Sequence, residues 1–190
     1  MRTKLNMRHT LFTVLFIISA CLLGSSLPMA QAGDRQATPL AALSKAKEQL
    51  TVALKHAELS FAAHKPGSGS TRIHMQHVLN ILEGKDGADY QKKVENPGDG
   101  YGVVRYLKDA NASVSPDSEA AQGIEFTFAY LEEAVEHANH ALRAPTAKAI
   151  HHNAGLVAGM LSAALGRPDS KSPVTGTLAF ALNALGQSQP

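Results

Sequence analysis

The chain has 190 residues, with 18 Lys+Arg, 16 Asp+Glu, nine His, one Cys and no Trp. Three of the basic residues, Arg2, Lys4 and Arg8, stand in the first ten positions, so the remainder sets 15 basic against 16 acidic groups without a basic stripe. That balance excludes nucleic acid as an expected partner. The single cysteine, Cys21, excludes an internal disulfide and a thiolate metal cage, so any metal site must use imidazole nitrogen and carboxylate oxygen.

The N-terminus reads as an export signal. The basic residues precede an apolar run, Leu11 to Leu23, that is too short for a comfortable transmembrane helix. Small residues follow at Ala30 and Ala32. The pattern predicts a signal peptide over residues 1–32 and a periplasmic or secreted protein. A second reading takes Ile18-Ser19-Ala20-Cys21 as a lipobox and Cys21 as the site of a lipid anchor, giving a lipoprotein. In either reading residues 33–190 form one domain with a single core.

From there the pattern is helical. Leu43, Ala46, Leu50, Ala53, Leu54, Ala57 and Phe61 recur every three or four residues and predict a helix from about Leu40 to Ala63, with Pro39 in its first turn. His64 to Ser70 reads as a loop. Thr71 can cap a second helix through Leu82, ended by Gly84. Residues 84–117 are punctuated by Gly, Asp, Asn and Pro and read as a crossover with one short helix, Val103 to Asp109. A third helix follows Ser115-Pro116-Asp117, with a stripe of Phe128, Leu131, Val135, Ala138 and Leu142. Past Pro145 a fourth helix, Thr146 to Leu165, is apolar nearly all round and reads as buried, with Gly155 and Gly159 allowing close approach. A last short helix spans Val174 to Leu185. The expected fold is all-α: a four-helix bundle of two helical hairpins, joined by a long crossover and followed by a short C-terminal helix.

Eight of the nine histidines fall in four clusters, two per hairpin. The first hairpin carries ALKHAELSFAAH (Ala53–His64) and TRIHMQH (Thr71–His77). The second carries AVEHANHALRA (Ala134–Ala144) and AIHHNAG (Ala149–Gly155). If both hairpin turns share one end of the bundle, these side chains converge within about two helical turns, roughly 11 Å along the axis. Imidazole is the commonest protein ligand for Zn, Cu and Ni. His56, His74, His77, Glu133, His137, His140, His151 and His152 are therefore the candidate metal ligands.

Angular placement divides them. His74 and His77 point inward or to the core edge, away from the polar face of Gln76, Asn80 and Glu83. Glu133, His137 and His140 share one outward arc at helical spacing and could reach one ion. His56 and His151 flank their stripes. Against ligation, His64 and His140 near helix C-termini can answer the macrodipole, and His74 can be a hydrogen-bonded core residue.

No catalytic motif is present: no HExxH, no Glu-x-x-His pair of di-iron bundles, no nucleophile elbow, and no CxxCH for covalent haem. The expected protein is not an enzyme. Lys55-His56-Ala57-Glu58 and Glu132 to Ala141 (EEAVEHANHA) resemble the small metal-binding protein family, exported bacterial helical bundles of repeated His-Ala-Glu segments. The resemblance implies sequestration of divalent metal such as copper or nickel, with His56, His137 and His140 inside the matching segments. The lower number of histidines per helix implies one or two sites rather than high capacity. Two other classes stand beside this reading. One is an envelope structural or interaction bundle that binds a partner protein without metal. The other is a b-type haem bundle using His with Met75 or Met160.

Overall fold

The computed structural model describes residues 38–62, 69–166, 171–172 and 176–187. The export signal over residues 1–32, the alternative anchor at Cys21 and the histidine at His64 lie outside the described residues. Those described are helical, without strands: α1 (Pro39–Phe61), α2 (Gly69–Glu83), α3 (Val103–Asn111), α4 (Glu119–Arg143), α5 (Ala147–Leu165) and α6 (Thr177–Gln187). Helix α1 packs on α2 and α5, and α4 on α5 and α2, which closes a ring of four helices. Two hairpins, α1/α2 and α4/α5, thus make the expected four-helix bundle. Helix α3 lies against α1, and α6 lies against α4 and α1.

The helix starts are set by side-chain caps. The hydroxyls of Thr38, Ser118 and Thr146 accept from the backbone N–H of Ala41, Ala121 and Ala149 at 3.3, 3.1 and 3.2 Å. Each satisfies a donor that the first helical turn leaves without an intrahelical partner. In α2 the helix begins at Gly69, ahead of the expected cap Thr71, which is buried. The Thr71 carbonyl instead accepts from Ser60 Oγ of α1 at 3.0 Å, tying the hairpin together near its turn.

Helix α1 buries Leu43, Ala46, Leu50, Ala53 and Ala57 of the expected stripe, but Leu54 is only partly buried and Phe61 is 43% exposed. Its ring lies along the outside of α5, where a Cβ on Gly155 would come within 3.0 Å of it. Helix α5 departs from expectation. It buries a single stripe, Ile150, Ala154, Val157, Leu161 and Ala164, and is not covered all round. A Cβ at Gly159 would meet nothing within 4 Å, so that glycine makes no close approach among the described residues. Apolar composition overstated burial here because Ala and Gly, at low hydrophobic cost, tolerate an open face.

Helix α4 also differs. Its buried line is Ile124, Thr127, Leu131, Ala134, Ala138 and Ala141, whereas Phe128, Val135 and Leu142 are only partly buried. The stripe read from large residues is therefore rotated toward the alanines. Small residues let α5 and α6 approach closely. A Cβ on Gly123 would meet Thr177 O at 2.8 Å, and Thr127 Oγ1 meets Thr177 Oγ1 at 2.7 Å.

The crossover is built into the molecule rather than appended to it. The two ends of its segment before α3 touch: Gly84 and Gly102 have φ of 71° and 100°, and a Cβ on Gly84 would fall 2.3 Å from Tyr101 O. Only glycine fits this meeting of backbones without strain. The segment between them folds over the polar face of α2. Gln76 donates to Asp89 O at 2.8 Å. Asn80 donates to Gln91 O and Val94 O at 3.2 and 3.1 Å and accepts from Gln91 N at 2.9 Å. Gln76 and Asn80 are consequently buried, with Asn80 at 0% exposure. Amide side chains can occupy such positions because their polar atoms find partners in the backbone of the crossover and, for Gln76 Nε2, also in Asn80 Oδ1.

Candidate metal centre

Three of the candidate ligands meet across the α1/α2 hairpin. The Ser60–Thr71 bond fixes the antiparallel register. His56 stands four residues before Ser60, and His74 stands three after Thr71. One turn in from that bond, the two are therefore brought opposite each other. His77, three residues past His74, lies on the same face of α2. His56 Nδ1 is 3.1 Å from His74 Nδ1 and 3.2 Å from His77 Nδ1. The three rings are mutually tilted or edge-on, with centroids 4.7 to 5.8 Å apart. One ligand atom from each lies within 4.8 Å of the others, and this is the single such group of His, Cys, Asp or Glu among the described residues.

The two contacts about His56 compete for one ring nitrogen. A ring nitrogen carries either one N–H or one in-plane lone pair, so His56 Nδ1 cannot make two well-aligned hydrogen bonds at once. A cation placed between the rings would take one lone pair from each. With metal–nitrogen bonds of about 2.0–2.1 Å, neighbouring nitrogens stand roughly 2.9 Å apart at right angles and roughly 3.4 Å apart in a tetrahedron. The two observed contacts fall between those values.

Burial, and then neighbouring charge, lowers the pKa of two of the three rings. His56 is pushed down to about 4, first by burial and then by the neighbouring His77, His74 and Lys55. His77 is also lowered, first by burial and then by His74, against the opposing negative field of Glu95. Neutral imidazole is the ligating form. Both residues therefore present free lone pairs at neutral pH. Burial differs across the trio: His77 is 9% exposed, whereas His56 and His74 are partly exposed, leaving a path for an ion.

The second hairpin brings no comparable set together. His137 Nδ1 is 2.9 Å from Asn153 Oδ1 of α5, and Asn153 donates in turn to Ala149 O at 2.8 Å. His140 is half exposed and 3.9 Å from Glu136 Oε1, an intrahelical neighbour. Its ring centroid is 6.0 Å from that of His137. Glu133 is exposed. His151 stacks on Phe61 at 4.4 Å with its Nδ1 buried and unpartnered, and His152 is exposed. The trio Glu133, His137 and His140 therefore does not form a shared site among the described residues. The rotation of the α4 stripe explains why, since it turns His137 toward α5 and an amide partner.

A cavity of about 810 Å³ lies elsewhere, between α3, α4 and the start of the crossover. Val104, Phe128, Leu131 and Val135 line it, with Arg105 and Lys108 among its charged residues. No His or Met contributes, so it supplies no axial ligand for the haem alternative. Met75, one of the two methionines that alternative invoked, is at 0% exposure in the core.

Comparison of the chain with family models, with curated proteins and with solved structures gave no match. The resemblance to the small metal-binding family thus rests on the segments around His56 and His137–His140 alone. No described helix is long and apolar enough to cross a membrane.

Proposed function

We propose that this protein is an exported, non-catalytic helical bundle that binds one divalent transition metal ion, Cu, Ni or Zn, through His56, His74 and His77. Its role is buffering, sequestration or sensing. The supporting observation is the convergence of three imidazoles from two helices, with Nδ1 contacts of 3.1 and 3.2 Å about His56. Imidazole-only donors select borderline metals and disfavour Ca and Mg, which take oxygen. The site is preorganised by a hairpin bond and two buried helix faces, so little ordering cost attends binding.

Calorimetric titration of the purified protein with Zn(II), Cu(II) or Ni(II) tests this. Saturable binding near one ion per chain, tighter than about 10 µM, is expected. Binding no tighter than that, or binding indifferent to removal of His56, His74 and His77, contradicts the proposal.

A further inference from the structure

Helix α4 carries a second line of large side chains beside the one it buries. Phe128, Leu131, Glu132 and Val135 recur at three- and four-residue spacing and share one face of the helix. Leu131 belongs to the core, but Phe128 and Val135 are only partly buried. All four line the cavity of about 810 Å³ between α3, α4 and the start of the crossover. That volume falls within the roughly 300–1,000 Å³ of small-molecule sites, which combine an apolar wall with a few polar groups.

Contacts within the chain brace the walls. Arg105 Nη1 of α3 donates to Asp86 Oδ2 of the crossover at 2.8 Å, and its guanidinium lies 4.4 Å from the centroid of the Tyr101 ring. The Tyr101 hydroxyl donates to Asp109 Oδ2 at 2.6 Å. At the end of α2, Glu83 Oε2 accepts the Asp89 N–H at 2.7 Å. A space held open in this way needs little ordering before a ligand enters.

The charges around the cavity are unequal. Glu83, Asp86 and Glu132 supply carboxylates, and Arg105 and Lys108 supply cations. Arg105 and Asp86 are engaged with each other. What remains is Glu83 and Glu132 against Lys108, an excess of negative charge. The side chains of Glu132 and Lys108 make no hydrogen bond or ion pair among the described residues. Glu83 is half-buried, and no described cation pairs with it. Burial raises its pKa, the bond from the Asp89 N–H opposes the rise, and the Asp89 charge adds to it. A cationic head placed here would compensate these carboxylates, while a hydrocarbon body would cover Phe128 and Val135.

We propose that this cavity binds an amphipathic organic amine, with its hydrocarbon body on Val104, Phe128, Leu131 and Val135 and its ammonium between Glu83 and Glu132. No histidine lines the cavity, so the site stands or falls independently of the metal centre.

Phenylbutylamine, phenylbutanol and phenylbutanoate share one hydrocarbon body and differ in the charge of the head. Calorimetric titration of the purified protein with each of them tests the site. The amine is expected to bind saturably with a Kd below about 1 mM, roughly tenfold or more tighter than the carboxylate. It is also expected to shift the methyl resonances of Val104, Leu131 and Val135. Glu83→Gln with Glu132→Gln is expected to weaken the amine about tenfold, and the amide oxygen at position 83 can still accept the Asp89 N–H. Lys108→Gln is expected to leave amine binding undiminished. Carboxylate binding as tight as that of the amine, or amine binding lost in Lys108→Gln, overturns the class of ligand. Equal binding of all three compounds overturns the role of the carboxylates. Absence of saturable amine binding by the unsubstituted protein overturns the site itself. The three-compound comparison uses the unsubstituted protein alone and stands even where a variant fails to fold.

Discussion

The two hairpins carry the same kind of sequence, and only one of them makes a cluster. In α1/α2 the histidines face each other across the helix pair, and His56 Nδ1 meets both partners within 3.2 Å. In α4/α5 each histidine finds something else: His137 an amide, His140 a glutamate one turn away, His151 the face of Phe61. The difference lies in which line of each helix faces the neighbour. In α1 the buried line runs through Ala53, Ala57 and Ser60, and His56 stands at its edge, facing α2. In α4 the line through Ala134, Ala138 and Ala141 leaves His137 facing Asn153. Repetition of a residue type does not make a site; a shared facing line does.

The largest effect should come from breaking the first hairpin's set. His56→Ala, or His74→Ala with His77→Ala, is expected to lower Zn(II) affinity by at least a hundredfold in a calorimetric titration. His137→Ala with His140→Ala should leave it within about twofold. Equal losses from the two sets would erase the distinction between the hairpins.

A second contrast concerns what covers each hairpin. The polar face of α2 lies under the crossover, which Asn80 holds with two donated bonds and one accepted bond. Asn80→Ala removes all three and leaves buried backbone groups without partners. It should cost about 3 kcal/mol of unfolding free energy, at about 1 kcal/mol per lost bond, measured by urea denaturation. His137→Ala removes one partly buried contact in α4/α5 and should cost about 1 kcal/mol.

The first hairpin should also show its own pH dependence. His56 falls from an ordinary value near 6.5 to about 4 in the folded chain. A depressed group contributes stability that is present above the unfolded value and lost as pH falls through the folded one. Removing His56 should therefore flatten the metal-free stability profile between roughly pH 6.5 and 4. Proton competition for the metal should likewise begin below the pH 6.5 expected of free imidazoles. A midpoint of metal release at or above 6.5 would contradict the depressed values at His56 and His77.

Much of the architecture was legible because it follows helical periodicity and punctuation. Pro39 and Gly84 bracket the first hairpin, and the apolar lines of α1 and α2 mark their inner faces. The inward placement of His74 and His77 was legible for the same reason. The α4 line was not, because large side chains dominate a periodicity count while close packing selects alanine. The fate of the crossover was also hidden. Its Gly, Asn and Asp residues signal turns, and nothing in their spacing says that Asn80 and Gln76 will bind the backbone of residues 89–94. That hydrogen bonding is long-range and leaves no local mark in the sequence. His56 could be assigned to the edge of its helix, but its meeting with α2 depends on the Ser60–Thr71 register, which two helices set together.

X-ray absorption on the Zn(II)- or Cu(II)-loaded protein tests the central claim most directly. The account predicts three imidazole nitrogens at about 2.0 Å with the remaining donor oxygen, and a loss of imidazole scattering in His56→Ala. A first shell with one imidazole or none, or one that is unchanged in His56→Ala, would contradict it.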